Sequence, residues 1–138
     1  MGMGDEVIIS KLPSKILPDS VCLAGLREYE YPYIKERVKE LGLKLFSPEI
    51  LSTDSKVLLD WIRSTGKKKV MIHFDMDVLD SSDFLAAVAD GPEGGHKLKE
   101  SVRIINDIAN EFELVALTVA EPKPRIAIRL KECYRNFL

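Results

Sequence analysis

Two hydrophobic periods alternate along the chain. "VCLAGL" (21–26) is an unbroken apolar run between Pro18-Asp19 and Arg27-Glu28, the pattern of a strand buried on both faces. "YPYIKERVKELGLK" then places Ile34, Val38 and Leu41 on one helical face, with Gly42 as the stop. "LKLF" (43–46) reads as a short strand closed by Ser47-Pro48. Asp54 or Ser55 is placed to cap a helix with Val57, Leu58 and Trp61 on its inner face and Gly66 just past its end. "KVMIHFDMD" (69–77) is the next strand, and "SSDFLAAVADGPEGG" (81–95) a long loop with a helical turn at 84–89. In "HKLKESVRIINDIANEFE", Leu98, Val102, Ile105, Ile108 and Phe112 recur at spacings of four and three, which predicts a helix. "LVALTVAE" (114–121) is a further buried strand. "KPRIAIRLKECYRNFL" closes the chain as a helix, with Pro124 in its first turn and Ile126, Leu130, Cys133 and Phe137 on one face.

Strand followed by helix, repeated about four times, defines an α/β class. The expected architecture is a parallel sheet of about four to five strands flanked by helices, with right-handed crossovers. Residues 1–20, which contain Pro13 and Pro18, stand apart as an N-terminal arm, or as an edge strand at "EVIIS"; residues 21–138 carry the α/β domain.

Composition narrows the function classes. The chain has 138 residues, 46% hydrophobic and 30% charged, enough for one domain with a real core. A formal net charge of -2 gives no electrostatic basis for binding nucleic acid or a membrane surface, and the "KKK" at 67–69 reads as a solvated turn. Cys22 and Cys133 lack zinc-site spacing and read as reduced, buried thiols. The N-terminal stretch is acidic, without a leader-like apolar core, and Glu6 stands where a myristoylation signal needs Ser or Thr. Runs such as "LVALTVA" are too short to cross a bilayer. A cytoplasmic location is the resulting expectation.

The chemistry concentrates at the ends of the apolar runs. Asp75, Asp77, Asp80 and Asp83 fall within nine positions. In an extended strand His73, Asp75 and Asp77 share a side, with the two aspartate Cα atoms about 7 Å apart. Two carboxylates about 6 Å apart repel by roughly 3 kcal/mol at an effective dielectric of 20, a large share of the roughly 5–15 kcal/mol that stabilises a small domain. A raised pKa, basic partners or a bound cation must offset it. Glu121 ends another strand, and Arg27 and Glu28 a third, at the rim where open α/β sheets bind ligands. Such a set of oxygens suits magnesium or manganese; the alternative is that these acids begin loops, cap helices and pair with lysines. His73 alone in an apolar strand reads as a hydrogen-bonded core residue, and His96 as an ordinary residue near a helix start.

Two motifs compete for "HFDMDVLD". A phosphatase D-x-D motif requires Gly where this chain has Val78, and the later acidic pair is missing. "FDMDVLDSS" resembles instead the S-x-D-x-D-x-x-D-P motif of the ureohydrolase family, which contains arginase, agmatinase and formimidoylglutamase. "VCLAGLRE", "LGLKLFSPEIL", "DGPEGGHKLKES" and "LTVAEPKPRIAIRLKE" resemble other segments of the family, in the family's order, over residues 21–138.

That resemblance implies a three-layer fold with two manganese ions at the strand ends, and hydrolysis of a guanidino or amidino C–N bond. It makes Asp75 and Asp77 metal ligands, gives Asp80 the bracing of a loop, and makes Glu121 the carboxylate that grips the guanidinium, accepting two parallel N–H bonds. Glu28 and Glu30 fall where the family reads the far end of its substrate. His73 and Ser81 depart from the motif, in place of a small residue and of Pro. The family's D-x-H-x-D motif and early histidine are missing from these 138 residues, which resemble the C-terminal half of the fold. The expectations are weak binding of a single manganese ion and no turnover by this polypeptide alone. A non-catalytic half-domain acting in assembly is the alternative, since an exposed sheet edge opens a route to homo-oligomers.

Overall fold

The computed structural model describes residues 1–27, 32–84, 93–123, 131 and 135. A single helical turn, α1 (Glu6–Ile9), is capped by Asp5, whose carboxylate accepts the Val7 and Ile8 amides at 2.9 and 3.2 Å. Its apolar side chains Val7 and Ile8 are exposed, so "EVIIS" forms an exposed helical turn in place of a strand. Strand β1 (Cys22–Ala24) is followed by α2 (Pro32–Glu40), β2 (Lys44–Phe46), the short α3 (Pro48–Leu51) and α4 (Lys56–Ser64). Then come β3 (Lys69–Asp75), α5 (Leu98–Glu111) and β4 (Glu113–Ala120). Lys131 and Arg135 are helical; of the predicted turn at 84–89 only Phe84 is described, and it is not helical, while the rest of the predicted C-terminal helix lies outside the described residues.

Both strand pairs among the described residues are parallel, as the alternation of strands and helices requires. The expected α/β class holds, with the strands divided between two sheets. Among the described residues the strands form two separate pairs, β1 with β2 and β3 with β4. In the second pair Asp75 lies opposite Ala120, which brings Glu121 to the same rim. The register shifts between Val70 and Met71, so that Val115 is an additional residue on β4.

Two apolar clusters hold the elements together. Phe46, Leu51, Leu58, Ile62, Ile104 and Ile108 form one, with Cys22 from β1 and Val70 and Ile72 from β3 packed against it. Both strand pairs therefore rest on α4 and α5. The other cluster joins Phe74, Met76, Leu79, Phe84 and Ile105 beneath the acidic rim. Ser55 stands at the N-terminus of α4, but its hydroxyl donates to Asp107 at 2.6 Å and accepts from Arg103 at 2.8 Å. Asp54 takes the capping role, accepting the Lys56 amide at 2.8 Å.

Burial on both strand faces is also corrected. Met71 and His73 of β3, and Val115 and Thr118 of β4, are exposed, so one side of this pair is open. Cys22 is part-buried, and desolvation pushes its thiol up to about 12, which keeps it protonated as expected for an inert cysteine. No helix among the described residues is long and apolar enough to cross a membrane.

Candidate metal centre

β3 ends at Asp75, and the chain turns at once into a 3-10 turn over Met76–Val78. The expectation of an extended strand through Asp77 is thus corrected. Met76 is 1% exposed and anchors the turn in the core, while Asp77 faces the rim side. Asp75 caps the turn, its carboxylate accepting the Asp77 amide at 3.4 Å.

Glu121 follows β4 directly, and one oxygen from each of Asp75, Asp77 and Glu121 lies within 4.8 Å of the others. The two aspartates are half-buried and Glu121 is exposed. Carboxylates at this separation repel by roughly 3 kcal/mol per pair at an effective dielectric of 20. Glu121 also adopts a left-handed backbone with φ 55°, uncommon for a residue with a side chain and costing about 1–3 kcal/mol. No residue pattern around Glu121 signals that conformation.

The remaining acids of the cluster have structural work. Asp80 accepts the Ser82 amide at 2.9 Å and hydroxyl at 2.6 Å, and the Gly94 amide at 3.0 Å. These bonds, led by the Ser82 hydroxyl, hold its carboxyl below the ordinary range. Asp83 accepts the Leu98 amide at 3.0 Å and so caps α5. A short parallel bridge closes the base of the loop: His96 donates its amide to Val78 O at 3.0 Å, and Asp80 donates to His96 O at 2.8 Å.

Both histidines differ from expectation. His73 is exposed, on the open sheet face, with Nδ1 2.7 Å from the Thr118 hydroxyl; it is hydrogen-bonded but not in the core. His96 is 2% exposed, and neither ring nitrogen has a hydrogen-bond partner among the described residues. Burial lowers its pKa, opposed by Glu100, whose Oε2 is 3.8 Å from Nδ1, and assisted by Arg103. Glu28 and Glu30 lie outside the described residues.

Arg27, which sequence reasoning placed at the rim without a role, is 5% exposed. Its Nη2 donates to Asp77 O at 2.8 Å and its Nη1 to Val78 O at 3.4 Å. The hint in the sequence was the Gly-Leu-Arg ending of an apolar run: an arginine placed there needs buried acceptors.

The donor set fits a hard divalent cation, since it consists of carboxylate oxygens alone. Three such groups can hold one ion; two ions with full coordination need further ligands. An α/β chain of parallel strands with carboxylates converging at their C-terminal rim is the class that the fold and site define.

The Arginase family profile matches residues 8–132, most of the chain, so the chain belongs to the arginase family. It is 29% identical over 121 residues to an arginase of Eremothecium gossypii, covering 84% of this chain and 30% of that protein. The solved arginase of Entamoeba histolytica, in complex with L-ornithine, superposes with a TM-score of 0.80 at 18% identity, covering 99% of this chain and 48% of that one. Helicobacter pylori arginase gives 0.79 at 16% identity, with coverages of 93% and 46%. Formimidoylglutamase of Bacillus subtilis gives 0.64 at 22%, with coverages of 75% and 34%. The chain thus spans 30% of the curated arginase and about half of each solved arginase.

Proposed function

We propose that this chain carries part of the site of a manganese-dependent ureohydrolase, one that hydrolyses a guanidino or amidino C–N bond of a small molecule. The observation that carries the reading is the convergence of Asp75, Asp77 and Glu121, one carboxylate oxygen of each within 4.8 Å of the others. Asp75 and Asp77 would hold manganese. When bound, manganese supplies Lewis acidity that makes hydroxide available near neutral pH. Glu121, exposed beside them, would orient the substrate by accepting two N–H bonds from its planar cationic end. Glu30 is assigned to the far end of the substrate on family resemblance alone.

Family membership favours this reading over a D-x-D phosphatase. In these 138 residues the acidic trio has no D-x-H-x-D partner. The polypeptide as it stands would therefore bind a single ion weakly and leave arginine, agmatine and formimidoylglutamate uncleaved. Residues 21–138 carry the candidate site in this reading, and the family match extends back into the N-terminal stretch, to residue 8. A cytoplasmic location completes the reading, and the net charge of -2 gives no electrostatic basis for engaging nucleic acid or membrane.

A second reading rests on the open face of β3 and β4, where Met71 is 60% and Val115 52% exposed: the chain acts in assembly, as a homo-oligomer. Calorimetric titration of manganese into the wild type and into an Asp75→Ala, Asp77→Ala double variant tests the first reading. Binding confined to the wild type supports it, and equal binding by both refutes the local site. Sedimentation of the same samples tests the second.

A further inference from the structure

We propose that Arg27 is the positioning residue for Asp77; as a statement about the metal site, this rests on the reading above. Arg27 belongs to the segment that follows β1, yet two of its hydrogen bonds reach the turn after β3, 50 and 51 residues away. The planar guanidinium spans two successive carbonyls, Asp77 O at 2.8 Å and Val78 O at 3.4 Å. Hydrogen bonds from a charged donor are stronger than those between neutral groups, and Arg27 makes these while 5% exposed. With its carbonyl held, the Asp77 backbone cannot rotate freely, and the Cα–Cβ direction from which its carboxylate reaches toward Asp75 and Glu121 is restrained.

The packing around the fork supports this role. A Cβ on Gly95 would sit 2.4 Å from Arg27 Nη1 and 2.5 Å from Val78 O. A Cβ on Gly25, where φ is 95°, would sit 2.5 Å from Val78 Cγ2. Two positions without side chains thus let the Arg27 fork, the turn and the loop base close on one another. Because β1–β2 and β3–β4 are not hydrogen-bonded to each other, the geometry points to Arg27 as a coupling between the pairs at the rim.

The test uses the full 138-residue chain with Arg27→Met and Arg27→Lys, each first checked for folding by circular dichroism. Lysine can meet one carbonyl as a point charge and methionine neither, so lysine should rescue in part. Without metal, amide exchange is read at Leu79, whose N–H closes the turn onto Met76 O at 3.2 Å. Arg27→Met should exchange at least about tenfold faster there, with the β3–β4 amides unchanged and Arg27→Lys intermediate. With manganese chloride added, affinity should fall at least about tenfold in Arg27→Met and recover in part in Arg27→Lys, with matching changes in the manganese paramagnetic resonance spectrum. A folded Arg27→Met whose Leu79 exchange stays within about twofold of wild type overturns the proposal, as does unchanged manganese affinity where the wild type binds. If the wild type binds no manganese, the metal reading falls and the Leu79 exchange decides Arg27's role alone. If Arg27→Met does not fold, Arg27→Lys carries the same comparison, and wild-type behaviour in both readouts overturns the proposal.

Discussion

The Gly94 amide donates to Asp80 Oδ2 at 3.0 Å, tying the end of the long loop back to its beginning. The third aspartate of the motif is therefore a loop brace. Asp80→Ala should free three donors and cost about 1 kcal/mol. The depressed carboxyl also has a pH signature. Its contribution is present above the unfolded value of about 3.9 and is lost as pH falls through the lower folded value. Thermal denaturation from pH 6 to pH 2 should thus fall more steeply for wild type than for Asp80→Asn.

Gly95 tests the packing behind the acidic rim. An alanine there meets Arg27 Nη1, Val78 O and the Asp80 amide at 2.4, 2.5 and 2.8 Å. Two of these three contacts are with backbone, which cannot swing aside. Gly95→Ala should therefore destabilise by about 1–3 kcal/mol. Gly4→Ala, with nothing within 4 Å, is the control and should be near neutral by urea denaturation.

His96 predicts a second pH dependence at higher pH. Burial favours its neutral form, so its folded pKa lies below the unfolded value of about 6.5. The unfolded chain then binds more protons in this window, and stability falls as pH drops from about 6.5 toward the folded pKa. The charged groups facing the ring are Glu100 and Arg103 on α5 and Glu49 on α3. Urea denaturation between pH 7.5 and 5 should show this loss in wild type and a flatter profile in His96→Leu. Parallel profiles would show that the ring is not the titrating group.

Much of this was legible in the chain. "VCLAGL", "LKLF", "KVMIHF" and "LVALTVA" each gave a strand, because a run of apolar residues bounded by Pro, Gly or charge has few other uses. Leu98 through Glu111 was legible because Ile105 and Ile108 keep helical period against the core. The strand's stop at Asp75 was not, because alternation cannot separate "MD" continuing a strand from "MD" in a turn; the burial of Met76 decides it. Pairing into one sheet or two depends on which edges meet, and local sequence carries no such information. His73 and His96 exchanged expected environments for the same reason: the first faces the open side, while loop closure onto Val78 buries the second.

Part of the candidate site was visible as residue types at strand ends. Asp75 and Glu121 could be placed on one rim because both strands end there in register. The Gly-Leu-Arg ending hinted that Arg27 needs buried acceptors but not which ones, since the carbonyls it reaches lie 50 and 51 positions away in sequence. The left-handed backbone of Glu121 was invisible too, since nothing in "VAEPK" demands it.

The most direct test of the account is anomalous X-ray scattering at the manganese edge from crystals of this chain grown with manganese chloride. The account predicts a peak coordinated by carboxylate oxygens of Asp75 and Asp77, on the side facing Glu121. Manganese peaks only elsewhere, or none at this rim in well-ordered crystals, would contradict it.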